Sequence, residues 1–329
     1  MNTRINKKKK IAVIGCGYWG TIITKTLIKL GFKNIYVYDS NIKNSNTLKR
    51  KFKKIIIIKK YNQILLSKDI IDIFYATPPS KNFKLIKNAI KNNKKIFLEK
   101  PGVTKSRELQ NLNKICKKNN NQVMFGYVYC FNDFIKYIKK ILLKKELGKI
   151  LYMNFQRQNL GPIRNDVDVA YDLTSHDLSI ILYLFNKMPK IISHLKYPIL
   201  KKNLSDISNL HLKLDNTFID INNSWLSPTK VRKINIIGSK KMLSFDEMNL
   251  NEPIKIYNKY AKYPKIQEFN KKFFESKALI YLGKNHSPKV KSSPSLTNEI
   301  KYYFRLNKRS KPVTDFTFSY KILKFLETI

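Results

Sequence analysis

Ile11-Ala12-Val13-Ile14-Gly15-Cys16-Gly17-Tyr18-Trp19-Gly20 decides the fold. Apolar residues 11–14 run straight into G-x-G-x-x-G, and residues 19–30 behind it carry helical spacing. A short continuous apolar run reads as a strand buried on both faces. The three glycines have separate tasks. The first permits a tight turn, the second lets backbone approach a pyrophosphate, and the third lets the helix pack close to the strand. Amides at the helix N-terminus then favour phosphate. Alone the motif is weak, because an ordinary glycine turn can imitate it. Its setting makes it strong: Asp39 ends the next apolar run, 19 residues past Gly20, where a carboxylate can bind both hydroxyls of a ribose. That carboxylate repels a 2′-phosphate, whereas Ser40, Lys43 and Lys49 could accommodate one.

Outward from this loop, apolar runs at 11–14, 35–38, 55–58, 70–76, 96–98 and 123–125 predict strands. Segments 19–30, 82–91 and 106–119 predict helices, as in Leu85, Ile86, Ala89 and Ile90. Such alternation implies a parallel, doubly wound sheet. After about Gly126 the rhythm changes. A helix at 131–143, a strand at 149–158 and a helix at 172–185 precede strand-like stretches at 190–197, 207–214, 217–224, 230–237 and 241–245. Short turns such as Asp215-Asn216 and Gly238-Ser239 indicate antiparallel hairpins. Segments 258–277 and 298–306 read as helix or coil, and 317–329 as a terminal helix. The expected architecture is α/β: a Rossmann domain over 1–126, then an α+β domain over 127–329 with a large, mostly antiparallel open sheet.

Composition limits the class of protein. A chain of 329 residues with 43% hydrophobic and 12% aromatic residues fits globular domains and argues against disorder. Cys16, Cys116 and Cys130 have unrelated spacings, which suggest neither a disulfide framework nor a zinc site; no metal is expected. Lys7 to Lys10 before the first apolar run imitate a signal peptide, but that run is shorter than the roughly 7–15 residues required. No stretch reaches the roughly 18 apolar residues of a membrane span. A cytoplasmic protein without a membrane partner is therefore expected. The net charge of +43 raises nucleic acid as a partner. The lysines, however, fall in pairs along nearly every predicted helix and loop, and arginine is scarce. Charge spread over solvated faces is the expected reading, without nucleic acid, and it would steer an anionic small substrate inward.

Two further loops follow predicted strands: Ala76-Thr77-Pro78-Pro79-Ser80 and Glu99-Lys100-Pro101. In doubly wound sheets ligands bind outside the carboxyl ends of the strands. By residue type alone, the second loop could be a surface charge pair before a proline turn. Farther on lie Tyr171-Asp172-Leu173-Thr174-Ser175-His176-Asp177 and Ser224-Trp225-Leu226-Ser227-Pro228-Thr229-Lys230-Val231-Arg232. Each motif is modest, yet their order and spacing resemble the glucose–fructose oxidoreductase, inositol dehydrogenase and rhizopine-catabolism family, Gfo/Idh/MocA, over nearly the whole chain. The last stretch looks like one common in members beside surface-polysaccharide sugar pathways.

The resemblance implies an NAD(P)-dependent dehydrogenase acting on a CH-OH group of a sugar, a nucleotide-linked sugar or a cyclitol. NAD is the expected cofactor and NADP the alternative. Gly15, Gly17, Tyr18, Trp19, Gly20, Asp39, Thr77, Pro78, Glu99 and Lys100 would contact it, and Pro101 would follow a cis bond. Lys100, Asp172 and His176 would be catalytic. The chemistry fits: a histidine with an ordinary pKa near ~6.5 is largely neutral in cells and can take a hydroxyl proton. An ammonium can polarise the oxygen where negative charge develops. On this reading either Lys100 or His176 carries the proton, and Asp172 orients or contacts substrate. An i, i+4 spacing puts Asp172 and His176 on one helix face. Without the resemblance, His176 alone would read as an ordinary helix histidine. Arg157, Asn159 and Arg164, flanking Gly161-Pro162, are candidate substrate contacts alongside Asp172 and His176, since arginine forks suit phosphate or carboxylate. Asn82 stands where family members often carry histidine. A homodimer or homotetramer is expected through the second-domain sheet. The competing readings are a keto-sugar reductase, a non-catalytic NAD-binding sensor or regulatory protein of the same fold, and a nucleic-acid binder.

Overall fold

In a computed structural model of the chain, the decisive apolar run forms β1 (Lys10–Ile14), and the glycine loop leads into α1 (Tyr18–Lys29). The structure describes residues 5–161, 163–165, 167–200, 202–262, 278–307 and 310–329. After α1 come β2 (Asn34–Tyr38), α2 (Ile42–Lys51), β3 (Ile56–Ile57), α3 (Tyr61–Leu66), β4 (Ile70–Tyr75), α4 (Pro79–Lys91), β5 (Lys95–Glu99), α5 (Ser106–Lys118) and β6 (Val123–Gly126). The six strands pair in parallel in the order β3-β2-β1-β4-β5-β6. Ile11, Ala12 and Val13 of β1, Ile73 and Phe74 of β4, and Ile96 to Leu98 of β5 are fully buried, as strands covered on both faces require. Chain direction across the sheet reverses between β1 and β4. The loops leaving those two strands diverge, and a ligand crevice opens at their carboxyl ends.

A 3-10 turn (Val128–Phe131) ends this run, and α6 (Asp133–Leu143) begins a second unit. It continues through β7 (Ile150–Leu160), a π-helical turn (Ala170–Thr174), α7 (Ser175–Phe185), β8 (Lys190–Tyr197), β9 (Ile207–Leu214), β10 (Thr217–Ser224), β11 (Leu226–Gly238), β12 (Met242–Asp246) and β13 (Ile254–Tyr257). These seven strands form one sheet in the order β13-β12-β11-β7-β10-β9-β8. β7 pairs in parallel with β10, and the other pairs run antiparallel, so the sheet is mostly antiparallel as expected. Alternation in β9, with Leu210, Leu212 and Leu214 buried, gives the sheet one packed face. β14 (Lys259–Lys262) and β15 (Leu279–Leu282) make a separate antiparallel pair. Residues 259–262, expected as helix or coil, are therefore strand; 263–277 of that expected segment, like Pro162, lie outside the described residues.

The chain then returns to its first unit with α8 (Ser295–Arg305) and α9 (Phe316–Leu326). Contacts join residues 1–132 to 293–328, and group 133–292 together with Ile329. The boundary therefore differs from the expected division at 126/127. Tyr303 of α8 meets Phe74 and Phe97 edge-on at 5.0 and 5.9 Å between centroids, and Thr314 hydrogen-bonds the backbone of Phe125. These returning residues complete a core that local sequence assigns to β4, β5 and β6. Among the described residues, no helix is long and apolar enough to cross a membrane.

Candidate active site

The glycine loop is built as its spacing implied. Gly15 has φ +91°, and a Cβ there would lie 2.6 Å from the Ala76 carbonyl oxygen. A Cβ on Gly20 would lie 1.8 Å from the Gly15 carbonyl oxygen, so α1 packs against the turn only through glycine. Gly17 differs, since a Cβ on it would meet nothing within 4 Å. Protein packing does not demand a glycine there; a ligand approaching the bare backbone would. Gly17 also N-caps α1 without a side-chain bond, leaving the helix amides available to phosphate. Tyr18 is 79% exposed and stands edge-on to Trp19 at 6.0 Å.

Asp39 is fixed by the loop it serves. Its Oδ2 accepts from the Cys16 amide at 2.7 Å and its Oδ1 from the Asn41 amide at 2.8 Å. Each carboxylate oxygen keeps a further lone pair for a ribose hydroxyl. A cavity of about 800 Å³ opens here, lined among others by Gly15, Gly17, Asp39, Ser40, Thr77 and Pro78. Its size suits a dinucleotide half, and its bare glycine wall and pinned carboxylate fit NAD. Of the lysines that could have served a 2′-phosphate, Lys49 donates to the Ile55 carbonyl instead. Neutral Asn41 and Asn44 line the cavity with Asp39, as do Lys81 and Lys84. Cys16 is no nucleophile here, because burial pushes its thiol up to about 11.

At the end of β5 the Lys100–Pro101 peptide is cis and Gly102 has φ +98°. Two side chains hold this turn. Asn82 Nδ2 donates to the Gly102 carbonyl at 2.6 Å, while Thr77 Oγ1 donates to Asn82 Oδ1, so one buried amide ties the two strand-end loops together. Ser319 Oγ of α9 donates to the Pro101 carbonyl at 2.9 Å and lies 3.1 Å from the Tyr127 hydroxyl. Glu99 packs against Gly126, where a Cβ would come within 3.1 Å of its carboxyl group. Burial raises the Glu99 carboxyl to about 7, against the opposing pull of the Lys100 charge. Glu299 of α8, fully buried and without a hydrogen-bond partner on either oxygen, is pushed up by burial and then by the Glu99 charge. Sequence reasoning marked Asn82 only as a departure from a family pattern and missed Ser319 and Glu299. A glutamate on the apolar face of 295–305 was the available signal for the last.

In the second unit Asp172 lies within the π turn and His176 in the first turn of α7. The expected uniform α-helix from 172 is thus replaced by a wider turn that alters how Asp172 and His176 are offset. Single π turns inside helices are rare and recur at functional sites. Arg164 Nη1 reaches Asp172 Oδ1 at 3.4 Å, and both side chains are partly exposed. Arg157 is placed otherwise: it is 4% exposed, and its Nε and Nη2 donate to Asp177 Oδ1 at 3.1 and 2.9 Å. Asn159 Oδ1 accepts from Arg232 Nη2. Of the three candidate substrate contacts, then, Arg164 adjoins Asp172, whereas Arg157 is engaged by Asp177 of α7 and Asn159 by Arg232 of β11. Lys100 belongs to the first unit, Asp172 and His176 to the second.

Comparison with known proteins agrees with the fold. Residues 9–127 match the family model described as oxidoreductase family, NAD-binding Rossmann fold. A curated relative, the 2,7-anhydro-N-acetylneuraminate hydratase of Escherichia coli (strain K12), is 25% identical over 146 residues, 44% of this chain and 38% of that protein. The chain matches less than two fifths of the length of such curated relatives. Among solved structures, the UDP-N-acetylglucosamine 3-dehydrogenase GnnA from Acidithiobacillus ferrooxidans superposes with a TM-score of 0.78 at 16% identity, covering 97% of this chain and 96% of that one. GenD2 from gentamicin A biosynthesis, in complex with NAD, gives 0.76 at 12% identity, covering 99% and 94%. At such identities these structures establish a shared fold. Together with the strand order and the glycine cradle, the matched segment makes residues 9–127 the NAD-binding Rossmann domain of the Gfo/Idh/MocA oxidoreductase family.

Proposed function

We propose that this chain is an NAD-dependent oxidoreductase acting on a secondary hydroxyl of a sugar, with a nucleotide-linked sugar as substrate. The observation that carries the reading is the carboxyl edge of the parallel sheet. There a glycine cradle and a pinned Asp39 share one edge with Lys100, whose turn is braced by Asn82 and Ser319. NAD, when bound, supplies the two-electron acceptor or donor. Gly15, Gly17 and Gly20 with the α1 amides hold its phosphates, and Asp39 holds a ribose. Thr77 and Pro78 of the cavity wall, with Glu99, Tyr18 and Trp19, would contact it.

The Lys100 ammonium donates a hydrogen bond to the reacting oxygen, where negative charge develops. His176 accepts the hydroxyl proton as the carbonyl forms, and Asp172 orients the substrate. Arg164, the partly exposed guanidinium beside Asp172, suits an anionic group such as a diphosphate. Arg157, bonded to Asp177, supports α7, and Asn159, bonded to Arg232, braces the end of β7; neither is given a sugar contact. The fold shared with a UDP-sugar dehydrogenase supports this substrate class. So does a net charge of +43, which steers anions inward. The proposed setting is the cytoplasm. A homodimer or homotetramer would form through the second-unit sheet, where Ile191, Leu195 and Phe218 are exposed.

The test is a panel of UDP-, GDP- and dTDP-sugars beside free sugars and polyols, followed by NADH absorbance in both directions with purified protein. Turnover of a nucleotide sugar is the expected result. Turnover confined to free polyols would overturn the substrate class. NADH binding without turnover of any panel member, keto-sugars included, would overturn the enzymatic reading.

A further inference from the structure

We propose that Thr174, Asp177, Asn223 and Arg157 are positioning residues that fix the turn bearing His176, and through it the imidazole. This rests on the reading that His176 takes the substrate proton. Arg157 of β7 and Asn223 of β10 are register partners on parallel strands. Both side chains grip one carboxylate: Arg157 reaches Asp177 Oδ1 at 2.9 Å, and Asn223 Nδ2 reaches Asp177 Oδ2 at 3.1 Å. The Asn223 amide oxygen in turn accepts from Thr174 Oγ1 at 2.6 Å. All four are buried, Thr174 and Asn223 completely.

The placement is what gives the network meaning. His176 lies between Thr174, the last residue of the π turn, and Asp177, and both flanking residues are tied to the sheet. Backbone groups around the wide turn are also engaged, since Ser175 Oγ donates to the Asp172 carbonyl and Ser179 Oγ to that of His176. A buried ion pair is weak evidence of stabilisation, because desolvating both ions offsets their attraction. Apolar residues would hold a helix on a sheet as well. What an ion pair with an amide and a hydroxyl adds is direction: the bonds set the rotation of α7 about its axis, which neighbouring leucines do not. The rotation so fixed is that of the turn carrying Asp172 and His176.

The test compares Thr174→Val, which keeps shape but loses the hydroxyl, with Thr174→Ser, which keeps the hydroxyl. The chain has four histidines, so their ring signals can be followed by NMR during a pH titration, with His176 identified by its loss in His176→Asn. In Thr174→Val the His176 signals should split, or its midpoint should move by about half a pH unit or more, with His194, His211 and His286 unchanged. Turnover should fall about 10- to 100-fold with NADH affinity unchanged, and Thr174→Ser should restore both. Unaltered His176 signals in Thr174→Val overturn the proposal, whatever happens to turnover. Should the valine variant not fold, Thr174→Ala repeats the measurement. The ring titration needs no substrate, so it decides the positioning role even if no sugar is turned over, whereas an active His176→Ala enzyme would sink only the catalytic reading.

Discussion

Asp39 does two jobs with one carboxylate, and both can be read by substitution. It accepts from the Cys16 and Asn41 amides, shaping the loop, and in the proposed function it presents negative charge to the ribose. Asp39→Ala removes the repulsion of a 2′-phosphate along with the ribose bonds. NAD affinity should therefore fall about 10-fold or more while NADP affinity changes less; fluorescence titration of both reduced cofactors measures the ratio. A ratio unchanged by the substitution would take the discrimination away from Asp39. In the proposed mechanism Lys100 and His176 act later in the cycle. Lys100→Ala and His176→Ala should each lower kcat by about 100-fold or more, with NADH binding retained. If neither slows turnover, the catalytic assignment is wrong. Both residues stand out in the sequence only through the order of several motifs, because a lysine before a proline and a histidine in a helix are individually commonplace. Arg157 shows the limit of that reading. Its sequence position beside the loop suggested a substrate contact, and only the fold reveals Asp177 waiting beneath it.

Among the elements, the parallel sheet was visible in the sequence because continuous apolar runs bounded by glycine, asparagine and aspartate leave few other readings. α2 was not visible, since its ten residues bury only Ser45 and Leu48 and show no apolar stripe. α3 spans six residues, too few to display a period. The π turn escaped for the same reason, five residues being insufficient to separate its wider turn from the ordinary 3.6. What sequence could not supply was the use made of Asn82 at the start of α4. Its amide joins the Thr77 loop to the Lys100–Gly102 turn, so two strand ends move as one. Asn82→Ala should therefore lower kcat by about 10-fold while Tm drops by a few degrees, from loss of a buried hydrogen bond and a small cavity. Thermal scans and steady-state kinetics together check this. A lower Tm with kcat intact would make Asn82 a stabilising residue alone.

At the scale of the molecule, the first unit is closed by residues distant in the sequence. Segment 293–328 returns to it, and with it comes Glu299, buried without a hydrogen-bond partner and facing the charge of Glu99. The groups around it sort by element. From β5 come Glu99 and, next in the chain, Lys100; on α8 itself Tyr303 lies one turn on, its hydroxyl bonded to the Lys95 carbonyl. Burial disfavours the charged form, so the folded state holds the Glu299 proton more tightly than the unfolded chain does. Below the ordinary glutamate pKa both states are protonated and the residue is neutral toward folding. As pH rises above that value the unfolded chain ionises first, and stability is lost until the folded carboxyl ionises too. Glu99, raised to about 7, acts in the same direction. Glu299→Gln removes the ionisation and keeps the shape. The variant should melt with the wild type near pH 4 and increasingly above it from pH 6 to 8, by about 2–4 °C for each ~1 kcal/mol relieved. Differential scanning calorimetry across that range measures the divergence. A constant offset at every pH would mean that packing, and not ionisation, distinguishes the two side chains; a variant less stable at pH 8 would mean that the Glu299 charge is compensated by a cation the fold brings to it.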